Sequence, residues 1–124
     1  MNILVVDDEE LVRKSLQRAF ASSGHRVLSA EGGKTGLQLW RDHSPDIVML
    51  DVLMPDMTGP EVLDEIMPTS AHVILMSAFK GKYDRDSAKS LGANDFISKP
   101  FEDIFQIVKY VENSYEQKRS ASHS

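Results

Sequence analysis

The 124-residue sequence contains no cysteine, which excludes disulfides, thiolate-bound zinc and thiol nucleophiles. No apolar run approaches the ~20 residues of a membrane-spanning helix. The N-terminus, MNILVVDDEE, has no basic region, and its apolar stretch is too short for a secretory signal. Positive charge is in the minority. The 14 Lys and Arg face 19 Asp and Glu, for a net charge of −5, which argues against non-specific nucleic-acid binding. Neither G-x-G-x-x-G nor G-x-x-x-x-G-K followed by Ser or Thr occurs, and the one adjacent glycine pair, Gly32-Gly33, follows the weakest apolar run. These absences leave a soluble, cytoplasmic, single α/β or α+β domain, long enough to bury a core.

What is present is an alternation. Short apolar runs lie at Ile3 to Val6, Val27 to Ala30, Ile47 to Leu50, Val73 to Met76, and Phe96-Ile97. Runs of four rich in Val and Ile, apolar on both faces, predict buried strands of a parallel sheet. Helical spacing fills the gaps: Leu11, Val12, Leu16, Ala19 and Phe20; then Gly36, Leu37 and Trp40; then Val62, Leu63 and Ile66; then Ala88 and Leu91. A longer stripe runs from Phe101 to about Tyr115, just after Pro100. Strand and helix thus alternate five times, which predicts right-handed crossovers with helices on both sheet faces, a doubly wound α/β fold. Residues 1–115 form the predicted domain, and the polar segment 116–124 is expected to be a frayed tail.

In an open parallel sheet, ligands bind beyond the carboxyl ends of the strands. Asp7 and Asp8 follow the first run, Asp51 the third, Ser77 the fourth, and Lys99 stands just past the fifth. Three carboxylates at one edge repel one another and call for a cation. Hard oxygen ligands without Cys or suitably spaced His suit Mg2+, which keeps open positions for phosphate oxygens. Lys99 and Ser77 add an ammonium and a hydroxyl, both useful to a phosphoryl group. Each residue alone has an ordinary explanation. Asp8 and Asp51 could be turn or cap residues, Ser77 a turn hydroxyl, and Lys99 a solvated lysine. Their coincidence at one edge favours a phosphoryl-transfer site.

With these residues placed, the chain resembles the receiver domain of two-component response regulators over about residues 2 to 115. The resemblance is carried by Asp7-Asp8, Asp51 at the end of Pro45 to Asp51, Met54-Pro55 with Gly59, Ser77-Ala78, Gly92 to Phe96, and Lys99-Pro100-Phe101. It implies a flavodoxin-like (βα)5 fold with strand order 2-1-3-4-5. Asp51 would accept a phosphoryl group from a sensor histidine kinase or a histidine phosphotransfer protein. Asp8, Asp51 and the Leu53 backbone carbonyl would ligate Mg2+, with Asp7 acting largely through a metal-bound water. Ser77, the Ala78 amide and Lys99 would hold phosphoryl oxygens. Ser77 and Phe96 would form the switch, and the output face would be helix 4, strand 5 and helix 5. A cis Lys99-Pro100 peptide is also implied.

The chain departs from the common family pattern at several positions. Ser77 replaces the frequent Thr, and Phe96 replaces the frequent Tyr. Leu53 and Phe79, both apolar, flank the family's path for the attacking water, which implies slow hydrolysis of the acyl phosphate. An aspartyl-phosphate hydrolase would need a second acid where Leu53 stands. A nucleotide-binding module would need a glycine-rich phosphate loop. No helix-turn-helix follows Tyr115, and Lys118-Arg119 reads as a helix-end feature rather than a nucleic-acid patch. The expected role is that of a regulator acting on a downstream protein target, with no direct nucleic-acid or membrane contact, as a monomer or phosphorylation-dependent dimer. It would be either self-standing or the receiver of a longer chain.

Overall fold

The computed structural model describes residues 1–78 and 82–123. Five strands, β1 (Asn2–Val6), β2 (Arg26–Ala30), β3 (Ile47–Asp51), β4 (His72–Ser77) and β5 (Asp95–Ser98), alternate with five helices. The helices are α1 (Glu10–Ser22), α2 (Gly33–His43), α3 (Gly59–Ile66), α4 (Arg85–Ser90) and α5 (Ile104–His123). All strand pairs are parallel, in the order β2-β1-β3-β4-β5, as the resemblance implies.

Strand periodicity divides the core into two layers. Leu4, Val6, Val48, Leu50, Val73 and Leu75 face α2, α3 and α4, meeting Leu37, Trp40, Val62, Leu63 and Ala88. The alternate residues Ile3, Val5, Ile47, Met49, Ile74 and Met76 face α1 and α5, meeting Leu16, Ala19, Phe20, Val108 and Val111. Fully burying each such side chain contributes about 1.5–3 kcal/mol, so the central strands are held from both sides. β2 has the weakest apolar run because it is an edge strand, exposed at Arg26 and half-buried through its middle.

Two helix ends differ from the sequence expectation. α5 begins at Ile104 rather than Phe101, because the Asp103 carboxylate accepts the Phe105 N–H at 3.0 Å and starts the helix there. It then runs past Tyr115 to His123, so the segment expected to fray is helical through that residue. Lys118 explains the extension: its Nζ donates to the carbonyls of Ser70 and Ala71 at 3.1 and 3.2 Å, anchoring this turn beside the entry to β4. α3 stops at Ile66 because Met67, preceding Pro68, takes an extended conformation.

Candidate functional site

Strand register assembles the site. Val6 pairs with Leu50, Asp51 with Met76, and Ser77 with Ser98. The residues following β1 and β5 are therefore brought to the edge where β3 and β4 end. Asp7 is fully buried and Asp51 is 4% exposed, while Asp8 is exposed. Each of these acids offers an oxygen within 4.8 Å of the others. Lys99, 6% exposed, places its Nζ 2.8 Å from Asp7 Oδ2, 3.2 Å from Asp51 Oδ1 and 3.0 Å from Glu9 Oε1. The backbone N–H of Lys99 donates to the Ser77 carbonyl at 2.9 Å, fixing its position against β4. The Lys99-Pro100 peptide is cis.

Ser77 ends β4 and is buried, and Ala78 follows it, exposed. Leu53 is half-exposed in the loop after β3. Phe96 lies on β5, partly buried against the α2–α3–α4 layer. Phe79 lies outside the described residues.

The loop after β3 is fixed from two sides. A Cβ on Gly59 would lie 2.7 Å from the Asp51 carbonyl oxygen, so only glycine lets α3 start this close to the strand end. Thr58 and Glu61 then close a reciprocal capping box at 3.0 and 3.2 Å. On the other side, Asp56 accepts the N–H groups of Gly33, Lys34 and Met57 at 2.9–3.0 Å, joining the loop to the start of α2. A Cβ on Gly33 would meet Met57 Cβ at 2.6 Å. The glycine pair therefore serves loop docking.

The electrostatics are those of a pocket short of positive charge. Burial, then the Asp7 charge, push the Asp51 carboxyl up to about 7, against the opposing pull of Lys99. For Lys99, burial favours the neutral amine, but Asp7, Asp51 and Glu9 outweigh it and hold the ammonium well above the ordinary lysine value. Asp7 Oδ1 accepts the Glu9 N–H at 2.9 Å, whereas its buried Oδ2 has charge contact with Lys99 but no hydrogen-bond partner among the described residues. A carboxylate oxygen held by charge alone among clustered acids fits a divalent cation with hard oxygen ligands.

Sequence reasoning missed Glu9 and Asp56. The acidic run after β1 was the signal for the first, and the glycine pair, needing a close neighbour, was the signal for the second. It also missed Asp95, buried at the start of β5, which accepts from Tyr110, Ser114, Arg85 and the Phe96 N–H at 2.8–3.1 Å. Among the described residues, no helix is long and apolar enough to cross a membrane.

Residues 3–112 match the family model of the response regulator receiver domain. The chain is 41% identical over 102 residues to the regulatory protein AtoC of Escherichia coli, covering 81% of this chain and 22% of AtoC. It is 38% identical over 101 residues to the KDP operon transcriptional regulatory protein KdpE of Escherichia coli, covering 81% of this chain and 45% of KdpE. The chain thus spans less than half the length of either relative. The receiver domain of the Francisella response regulator 1452 shares the fold, with a TM-score of 0.84 at 24% identity, covering 94% of this chain and 98% of that one.

Proposed function

The chain belongs to the response regulator receiver domain family, and from that membership we propose that Asp51 accepts a phosphoryl group from a sensor histidine kinase or histidine phosphotransfer protein in a Mg2+-dependent reaction. Receivers are signalling phosphoacceptors rather than turnover enzymes. The observation that carries the reading is Asp51 itself: a carboxylate buried at the end of a central strand, facing Lys99 and other acids.

A lone pair of an Asp51 oxygen attacks phosphorus to form an acyl phosphate. The P–N bond to the donor imidazole breaks, and its electron pair stays on the nitrogen, which is protonated as it leaves. Asp8, Asp51 and the Leu53 carbonyl would hold Mg2+, with Asp7 acting through a water. When bound, the ion neutralises the acids and the charge on the phosphoryl group. Lys99 donates to one phosphoryl oxygen, and the Ser77 hydroxyl and Ala78 N–H donate to others. Catalysis is then positioning and electrostatics. The phosphoryl group adds negative charge and three acceptors. Ser77 is drawn toward it, and Phe96 turns into the space left behind. The outer face of α4, β5 and α5 changes shape for a downstream protein target. An open groove of about 610 Å³ along β5 and the first turns of α5, lined in part by Phe96, Phe101, Ile107 and Tyr110, supports this reading.

The test is incubation with Mg2+ and acetyl phosphate, read by intact mass. The protein should gain one phosphoryl group, and Asp51→Asn should gain none while keeping its fold. Addition at another carboxylate in the variant would overturn the assignment.

A further inference from the structure

Local structure does not explain the side chain of Glu9. The residue occupies the N-cap of α1 with extended backbone, φ −80° and ψ 111°. Short polar residues are favoured there because their side chains return to the first helical amides. Glu9 makes no such bond. Its carboxylate reaches instead to a residue 90 positions away, placing Oε1 3.0 Å from Lys99 Nζ. Its own N–H is committed to Asp7 Oδ1 at 2.9 Å, so the backbone that carries the arm is held in place.

An ammonium has three N–H donors. Three carboxylates surround this one, at 2.8 Å for Asp7, 3.0 Å for Glu9 and 3.2 Å for Asp51. The Glu9 contact is a hydrogen bond, whereas Asp7 Oδ2 is held by charge alone, so a phosphoryl oxygen arriving at Lys99 competes with Glu9 for a donor. Asp7 and Asp51 are buried at strand ends, whereas the Glu9 side chain is 60% exposed and free to swing into solvent. We infer that Glu9 is a positioning residue, a place-holder that occupies one Lys99 donor in the resting protein and yields it to the incoming phosphoryl oxygen. The inference rests on the phosphoacceptor reading of Asp51. On it, Glu9 keeps Lys99 aimed at the pocket and sets a threshold that the phosphoryl group must overcome.

The test uses beryllofluoride, a tetrahedral phosphoryl mimic, titrated into the full chain at saturating Mg2+. Glu9→Gln keeps the length of the arm and removes its charge. It should lower the half-saturating concentration about tenfold, the size of one charge-assisted hydrogen bond. The neighbour Glu10 is exposed and paired with Lys14 at 2.7 Å. Glu10→Gln removes the same charge without touching Lys99 and should change binding by less than about twofold. Half-saturation by Mg2+ alone, read from the thermal shift, should be the same in the parent chain and in Glu9→Gln. Equal tightening in both variants would reduce the effect to general charge. No tightening in Glu9→Gln, or a parallel loss of Mg2+ affinity, would overturn the place-holder. A parent chain that neither binds beryllofluoride nor gains phosphoryl mass would instead remove the reading of Asp51 on which the inference rests.

Discussion

Asp51 and Asp95 are both buried at strand ends of one sheet, at 4% and 3% exposure, yet their surroundings are opposite. Burial acts to raise both carboxyls. Around Asp95 the Phe96 N–H, Tyr110, Arg85 and Ser114 overcome it and bring the carboxyl below its ordinary value. Around Asp51 the neighbouring acids add to burial, and the carboxyl rises to about 7. The first carboxylate is saturated with donors and ties β5 to α4 and α5. The second has the Lys99 ammonium at 3.2 Å but no comparable set of donors among the described residues, which leaves it open to a cation. Burial alone therefore does not mark a functional acid; the supply of donors does.

This contrast is sharpest in stability. Asp95→Ala removes the shared acceptor of the Phe96 N–H, Tyr110, Ser114 and Arg85 and should cost about 2–3 kcal/mol in urea denaturation. Asp51→Asn relieves repulsion and should cost nothing, or stabilise by about 1 kcal/mol. Equal costs would erase the distinction. Next comes pH. The Ser114 hydroxyl donates to Asp95 Oδ2 and lies 2.7 Å from His72 Nε2, so that nitrogen carries the ring hydrogen. Nδ1 is buried and has no hydrogen-bond partner among the described residues. Burial, then the Lys118 charge, press the ring from 6.5 down to about 4. In that window the unfolded chain takes up a proton that the folded chain refuses. Stability should therefore be complete above pH 6.5 and fall by up to about 3 kcal/mol as pH approaches 4. Measured in the Asp51→Asn background, the fall should flatten in His72→Gln.

Mg2+ should act on one member of the pair alone. At about 100 times its dissociation constant it should stabilise the fold by about 2.7 kcal/mol. Asp8→Ala should remove most of that rise in Tm, and Asp95→Asn should leave it. A response retained in Asp8→Ala would place the ion elsewhere. The smallest effect concerns lifetime. Leu53 is half-exposed beside Asp51. Leu53→Asn should shorten the phosphoryl half-life about threefold, under 1 kcal/mol in the barrier. An unchanged half-life would show that this side chain does not shield the acyl phosphate.

The sequence made the strands and the acidic edge legible because each depends on short-range pattern. Buried parallel strands show four consecutive apolar residues, and the residues after them must fall at the ligand-binding edge. Asp7, Asp8, Asp51, Ser77 and Lys99 were found that way. Contacts that depend on three-dimensional neighbours were not legible. Glu9 meets Lys99 from the opposite end of the chain. Asp95 looks like an ordinary strand-end acid until α5 lays Tyr110 and Ser114 against it. The polar end of α5 looked unsupported because its anchor, a pair of carbonyls before β4, has no side-chain signature.

The short edge strand β5 has a consequence for amide exchange. It is four residues long and pairs with β4 alone. A ladder this short resists local opening poorly, and such elements exchange their amide hydrogens well before the centre of a sheet does. Here both ends are pinned by charge: Asp95 before the two apolar residues, and Lys99 immediately after the strand. Exchange at Phe96 and Ile97 should therefore report the state of the acidic pocket, while β1 and β3 exchange only on global unfolding. The element carrying Phe96 would then be the one whose protection is set by the ions at its ends.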